Sequence, residues 1–166
     1  APLYKDAIEI IARSGITYTP TFLVDFGGPS GEEYFYTRHD ITRDAKLARF
    51  MPRTQIIQRA LRRDGYFHES QFAFQEQARE AAKIVAAGGK VGLGGHGQLQ
   101  GLGDHWELWA IASGGMAPHD VLRVGTIFGA ESIGLGKSLG SLETGKIADI
   151  LVRDANPLET ITNTNT

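Results

Sequence analysis

Five histidines, His39, His68, His96, His105 and His119, are the first residues to weigh, because a neutral imidazole can ligate a metal or accept a proton near neutral pH. None pairs with another as H-x-H, H-x-x-x-H or H-E-x-x-H, so no local spacing builds a metal site. His39 and His68 fall in polar stretches and read as solvent-exposed. His119 falls in the first turn of a helix and reads the same way. His96 differs. It follows Val91-Gly92-Leu93-Gly94-Gly95 and so stands just beyond the C-terminal end of a short buried strand. In parallel α/β folds that end is where ligands bind and chemistry occurs. His105 and Glu107 close the same glycine-rich loop and could return toward it. The plain alternative for His96 is a loop histidine bonded to a nearby carbonyl.

Three glycine motifs invite phosphate chemistry and fail on their parts. Gly92-Leu93-Gly94-Gly95-His96-Gly97 spells G-x-G-x-x-G, but that fingerprint must open straight into a helix. Here Gln98 to Gly103 intervenes, and no second strand with an acidic tip follows. Gly140 to Ile147 nearly spells a P-loop, but Ile147 stands where a Ser or Thr must bind Mg²⁺. Gly136-Lys137-Ser138 supplies that hydroxyl, yet Glu131 occupies the place of the first glycine. Both read as turns. Arg59, Arg62 and Arg63 form a basic run that reads as a solvated face.

The elements that must position these residues follow from periodicity. Tyr4, Ala7, Ile8 and Ile11 mark a first helix, stopped by Gly15. The chain opens almost directly inside it, which reads as a start preceded by other chain. Ile16 to Val24 alternates as a strand, with Pro20 needing an edge or a bulge. Residues 25–45 read as a long polar loop. Thr54 to Arg63 reads as a short helix with Ile56, Ile57, Ala60 and Leu61 inward. Phe74, Ala78, Ala81, Ala82 and Val85 mark a strong amphipathic helix. Val91 to Leu93 is a strand, and Trp106 to Ala112 a helix. Another helix starts at Pro118, with Val121, Leu122, Phe128 and Ile133 following on it. Ile147 to Val152 reads as a late strand, and Thr160 to Thr166 as a frayed tail. This order is α/β with parallel strands joined by helices, and the strands are too few for a complete barrel.

Composition narrows the function. The 166 residues carry 17 Lys+Arg against 19 Asp+Glu, a net charge of −2, so no bulk basic field draws nucleic acid or anionic lipid. No apolar run approaches the roughly 20 residues of a membrane helix. The absence of cysteine excludes disulfides, Cys-ligated zinc and thiol nucleophiles. Glycine, at 21 residues, is well above its usual share of about 7%, and most of it falls after residue 86.

Three linked stretches carry a resemblance. They are KVGLGGHGQLQGLGDHWELWAIASGGMAPHDVLRVGTIFGAESIGL, then LGSLETGKIADILVRDANPL, and more weakly DAIEIIARSGITYTPTFLV. They resemble the metal-dependent amidohydrolase superfamily, and the HGQLQGLG…HWELW wording is similar to its members fused behind a TolB-like β-propeller, akin also to imidazolonepropionase. The resemblance implies the C-terminal part of a (β/α)₈ TIM-like barrel plus the end of a small β-sandwich. Residues 1–133 would hold the last βα units, and residues 134–166 the sandwich segment and tail. Ile16 to Val24 would be strand seven and Lys90 to Gly94 strand eight.

By the same resemblance His96 occupies the place of the usual catalytic Asp of strand eight, as base and metal ligand. His105, Glu107 and Thr21 become substrate-binding candidates. The activity implied is hydrolysis of a C–N bond in an amide or cyclic amide. Zinc or another divalent metal would act in the full-length parent, with none held by this chain alone. The other ligands belong to strands that these residues do not include, so the chain alone is expected to be inactive. A non-catalytic binding or assembly module on a degenerate barrel is the alternative. The expected partners are a small-molecule or peptide-like substrate of the parent, and either the missing barrel half or a second copy. The TolB-fused relatives imply an exported or periplasmic protein.

Overall fold

The computed structural model describes residues 3–24, 28–61, 65–96 and 99–166. Helix α1, Lys5–Ser14, ends where Gly15 turns left-handed at φ 79°, as its sequence predicts. Ile8 and Ile11 face the core, while Tyr4 is exposed. The expected strand after it shrinks to β1, Thr17–Tyr18. Pro20 cannot donate to a ladder, and Phe22–Val24 winds into a 3₁₀ turn. Strand β2, Lys90–Val91, is equally short and pairs with β1 in parallel, Thr17 opposite Lys90 and Tyr18 opposite Val91. The Gly92 N–H extends the ladder by donating to the Tyr18 carbonyl at 2.9 Å. Among the described residues these two strands are the whole sheet. The result is a helix-rich α/β arrangement.

Residues 28–45 of the long polar loop expected over 25–45 are built of short helices and turns. They contain α2, Gly31–Tyr36, and a 3₁₀ turn at Ile41–Arg43 capped by the Asp40 side chain. Helix α3, Ala45–Phe50, follows, capped by Asp44 through the Leu47 N–H. Helix α4 is Arg53–Ala60. Ile56 and Ala60, four residues apart, take its inner face. Ile57 and Leu61 lie on the adjoining stripe and face water, against expectation. Arg59 is half-buried, and Arg62 and Arg63 lie outside the described residues.

Helix α5, Phe74–Ala86, buries Phe74, Ala78, Ala81 and Ile84. Helix α6, Leu102–Ala112, buries Trp106, Glu107, Ala110 and Ile111 against it. The helix begins four residues earlier than the sequence suggests. Around Trp106 the core is aromatic. Phe35 stacks on it at 5.4 Å, Tyr36 meets it edge-on, and His39 stacks at 5.8 Å. His39 is therefore half-buried rather than solvated, and burial, with the Arg38 charge next, lowers its pKa. His68 and His119 are exposed as expected. The helix from Pro118 runs as α7, Pro118–Arg123, a π turn at Val124–Phe128, and α8, Gly129–Ser132. Val121 and Phe128 are buried, but Ile133 is exposed. Lys90 ties the start of β2 to this region through Glu131 at 2.7 Å.

The C-terminal region departs most from expectation. Ile147 to Val152 forms no strand. Ile147 donates one bond to the Ser138 carbonyl, and Leu151 and Val152 are 77% and 91% exposed. A strand needs a neighbour, and the described residues bring none to this segment. The near-P-loop is a turn, as expected. Its Lys146 donates to Ser141 at 2.5 Å and pairs with Glu143 at 3.0 Å.

The expected frayed tail is instead a docked 3₁₀ helix, Ile161–Asn165. Thr164 is buried and accepts from the Trp109 indole N–H at 3.0 Å. Lys46 donates to the Asn165 carbonyl at 2.7 Å. Thr164→Val keeps the side-chain volume but strands the indole N–H. It is expected to cost about 1–2 kcal/mol in urea unfolding. An unchanged midpoint would mean that the tail is not held through this bond.

Candidate functional site at the strand ends

The C-terminal ends of β1 and β2 lie side by side, and the loops that leave them press together. At Gly94 an added methyl carbon would stand 1.8 Å from the Pro20 carbonyl oxygen and 2.7 Å from the Thr21 hydroxyl. Only glycine permits that approach. Thr21, half-buried, thus stands beside the loop that carries His96. His96 itself is exposed, five residues past Val91 at the C-terminal end of β2. Gly97 and Gln98 lie outside the described residues.

Glu107 behaves differently from the expectation of a substrate-binding carboxylate. It is fully buried, and its two oxygens accept from consecutive backbone N–H groups, Phe22 at 2.7 Å and Leu23 at 3.0 Å. These are orphan donors at the start of the 3₁₀ turn after β1. Burial pushes the Glu107 carboxyl up to about 7. The two N–H bonds pull it down, and nearby Asp104 adds to the rise. Asp104, one turn earlier on α6, reaches the other loop: a methyl carbon at Gly95 would stand 2.0 Å from its Oδ1. Burial raises the Asp104 pKa as well.

His105 also departs from its expected place. It lies inside α6 rather than at a loop end, and it is half-buried beside Lys46 and Arg153. Burial first, then the Arg153 and Lys46 charges, lower its pKa to about 4, so it is neutral at pH 7. Its Nδ1 is buried with no hydrogen-bond partner among the described residues. Thr21 and the His96 loop are therefore brought together, Glu107 holds the turn that follows Thr21, and His105 belongs to a different environment. The sequence reading missed Asp104 altogether. The one available signal was its spacing of three from Glu107, which places both on one helix face.

Among the described residues no three His, Asp or Glu side chains group so as to hold a metal ion. Both Glu107 oxygens already serve backbone donors. These residues do not fit a resident catalytic metal, which typically takes three protein ligands.

The sequence pattern of the amidohydrolase family matches residues 3–166. The chain belongs to the amidohydrolase family. A 5-methylthioadenosine/S-adenosylhomocysteine deaminase of Teredinibacter turnerae is 39% identical over 62 residues. That stretch is 37% of this chain and 14% of the deaminase. The crystal structure of a Xaa-Pro dipeptidase with methionine bound in its active site superposes with a TM-score of 0.58 at 21% identity. The match covers 97% of this amidohydrolase chain and 34% of the dipeptidase, and it shows a shared fold. The chain thus spans well under two thirds of either relative.

Proposed function

We propose that these residues are the C-terminal part of an amidohydrolase barrel that hydrolyses a C–N bond in an amide or cyclic amide. One observation carries the reading: a parallel strand pair whose C-terminal loops are locked together and present His96 to solvent. Coverage supports it, since nearly the whole chain superposes on about a third of a dipeptidase. The deaminase and the dipeptidase each break a C–N bond, which makes that bond the common chemical target.

In this reading β1 and β2 are the last two barrel strands, and the partner is the remaining part of the barrel. Water adds its oxygen to the scissile carbon, the C–N bond breaks, and the leaving nitrogen takes a proton. His96 moves that proton. A divalent metal such as zinc, held by other strands, would supply charge stabilisation in the whole enzyme.

The 166-residue chain alone is expected to release neither amino acid from a Xaa-Pro dipeptide nor ammonia from an adenosine derivative. Elemental analysis is expected to find no stoichiometric zinc. About one tightly bound zinc per chain, with turnover, overturns this. In a longer protein that adds an H-x-H strand to these residues, His96→Ala should cut kcat by roughly 10²–10⁴. An unchanged kcat removes His96 from the reaction.

A further inference from the structure

We propose that Glu107 is a positioning residue: with Asp104 it holds the two strand-end loops to one face of α6, and so fixes where Thr21 and His96 stand. The inference rests on the reading of these strand ends as the catalytic face.

Position argues first. Asp104 and Glu107 are three residues apart on α6 and so share a face. Glu107 takes the loop after β1 through the Phe22 and Leu23 N–H groups. Asp104, though exposed, stands close against the loop after β2, its Oδ1 where a methyl carbon at Gly95 would fall. The loops also touch each other, Gly94 against Pro20 and Thr21. Three contacts therefore close a ring through α6, the β1 turn and the His96 loop. A displacement of any member is carried to the others.

Cost argues second. A buried carboxylate is expensive unless hydrogen bonds repay its lost hydration. A turn such as Phe22–Val24 is commonly capped by the Ser or Thr before it, at no such cost. Thr21 stands at that place, yet its hydroxyl lies beside Gly94, and the capping falls to a residue 84 to 85 positions away. A local cap would order the turn equally well. What the distant carboxylate adds is a fixed distance between α6 and the end of β1.

Chemistry argues third. Glu107 is fully buried with each oxygen on a backbone N–H, so the residue acts through the backbone it holds. His96, exposed and flanked by glycines, has little packing of its own to fix it. Its placement depends on the loop that Gly94 and Gly95 anchor.

The test is NMR on the full 166-residue chain without substrate. In the wild type the Phe22 and Leu23 amides should shift with a single titration, and the Gly94 and Gly95 amides should report the same event. In Glu107→Gln one acceptor becomes a donor facing an N–H. That titration should vanish from all four, and amide exchange at Phe22 and Leu23 should speed up by about tenfold or more. Amides of Ala78 and Ile84 should keep their protection. Glu107→Asp should restore part of the pattern.

Should Glu107→Gln fail to fold, Asp104→Asn supplies the second arm. It is expected to move the Gly95 and His96 signals and to lower the apparent pKa seen at Phe22 and Leu23. If Glu107→Gln alters only Phe22 and Leu23 and leaves Gly94 and Gly95 unchanged, the residue merely caps its turn and the proposal falls. Intact coupling in a longer protein that hydrolyses no C–N bond overturns the functional reading alone.

Discussion

A chain carrying Gly114→Ala is expected to lose about 3 kcal/mol or more of unfolding free energy, while Gly115→Ala loses about 1 kcal/mol. The two glycines are neighbours at the end of α6 and differ in what surrounds them. At Gly114 an added methyl carbon would lie 2.1 Å from the Ala78 carbonyl carbon, 2.3 Å from its oxygen and 2.4 Å from the Arg79 nitrogen. All three are backbone atoms of α5, so no side chain can swing aside. The end of α6 must retreat from α5 by about 1 Å, a gap that forfeits a quarter to a half of each dispersion contact it opens. The contacts at risk involve Ala78, Ala81 and Ile111, all fully buried. The reduced freedom of the unfolded chain returns only about 0.4–1 kcal/mol. Gly115 has open space around it and a φ of 87°, so its cost is conformational strain alone. Urea midpoints of both variants check this, and a milder Gly114→Ala would show that the helix pair is looser than it looks.

Much of the frame was legible in the sequence. Gly15 marked the end of α1, Phe74 to Val85 marked α5, and Pro118 marked α7, because each carries a strong local rule. The parallel relation of the strands and the place of His96 beyond the second were also legible. Strand length was not. Alternation from Ile16 to Val24 suggests nine residues, but pairing depends on neighbours, and Phe22 is drawn out of the strand by Glu107. The short helices α2 and α3 hide in polar sequence because tertiary contacts and Asp caps hold them, not a long apolar stripe.

The site was half legible. Glycine at 94 and 95 permits close approach, here to Pro20, Thr21 and Asp104, but glycine alone does not name its neighbour. Glu107 was singled out at the end of the glycine-rich loop, yet it bonds the turn after β1, since periodicity shows that a carboxylate lies on a helix, not which N–H groups it meets. The tail was misread because Thr and Asn composition suggests fraying, whereas the buried Thr164 hydroxyl and the Lys46 bond to Asn165 anchor it.

Between about pH 4.5 and 6.5 the pH slope of the wild-type chain's stability is expected to lie between those of Glu107→Gln and His105→Gln, which have opposite signs. The Glu107 carboxyl is raised from 4.5 to about 7 by burial, with Asp104 adding to the rise. The folded chain then keeps a proton that the unfolded chain has released. This contribution is fully present below pH 4.5 and is lost as pH rises through about 7. Such a shift corresponds to about 3 kcal/mol. His105 is lowered from 6.5 to about 4 by burial, then by Arg153 and Lys46. The folded chain refuses a proton that the unfolded chain accepts, so this contribution is present above pH 6.5 and lost as pH falls through about 4. Its imidazole is partly wet, which discounts it to about 1–2 kcal/mol.

Two neighbours act in the same senses. Asp104 is raised by burial and reinforces Glu107. His39 is lowered by burial and by Arg38, and reinforces His105. The windows overlap and the signs oppose, which places the wild type between the two variants. Glu107→Gln leaves the histidines opposed only by Asp104, so its stability should fall on acidification from pH 6.5 to 4.5. His105→Gln leaves the carboxyls opposed only by His39, so its stability should rise over the same interval, by up to about 3 kcal/mol. Urea unfolding at four pH values, with a constant denaturant slope, reads both trends. If the two variants run parallel, the buried carboxylate at the strand ends and the buried imidazole on α6 do not titrate as their surroundings dictate, and the electrostatic account of this face fails.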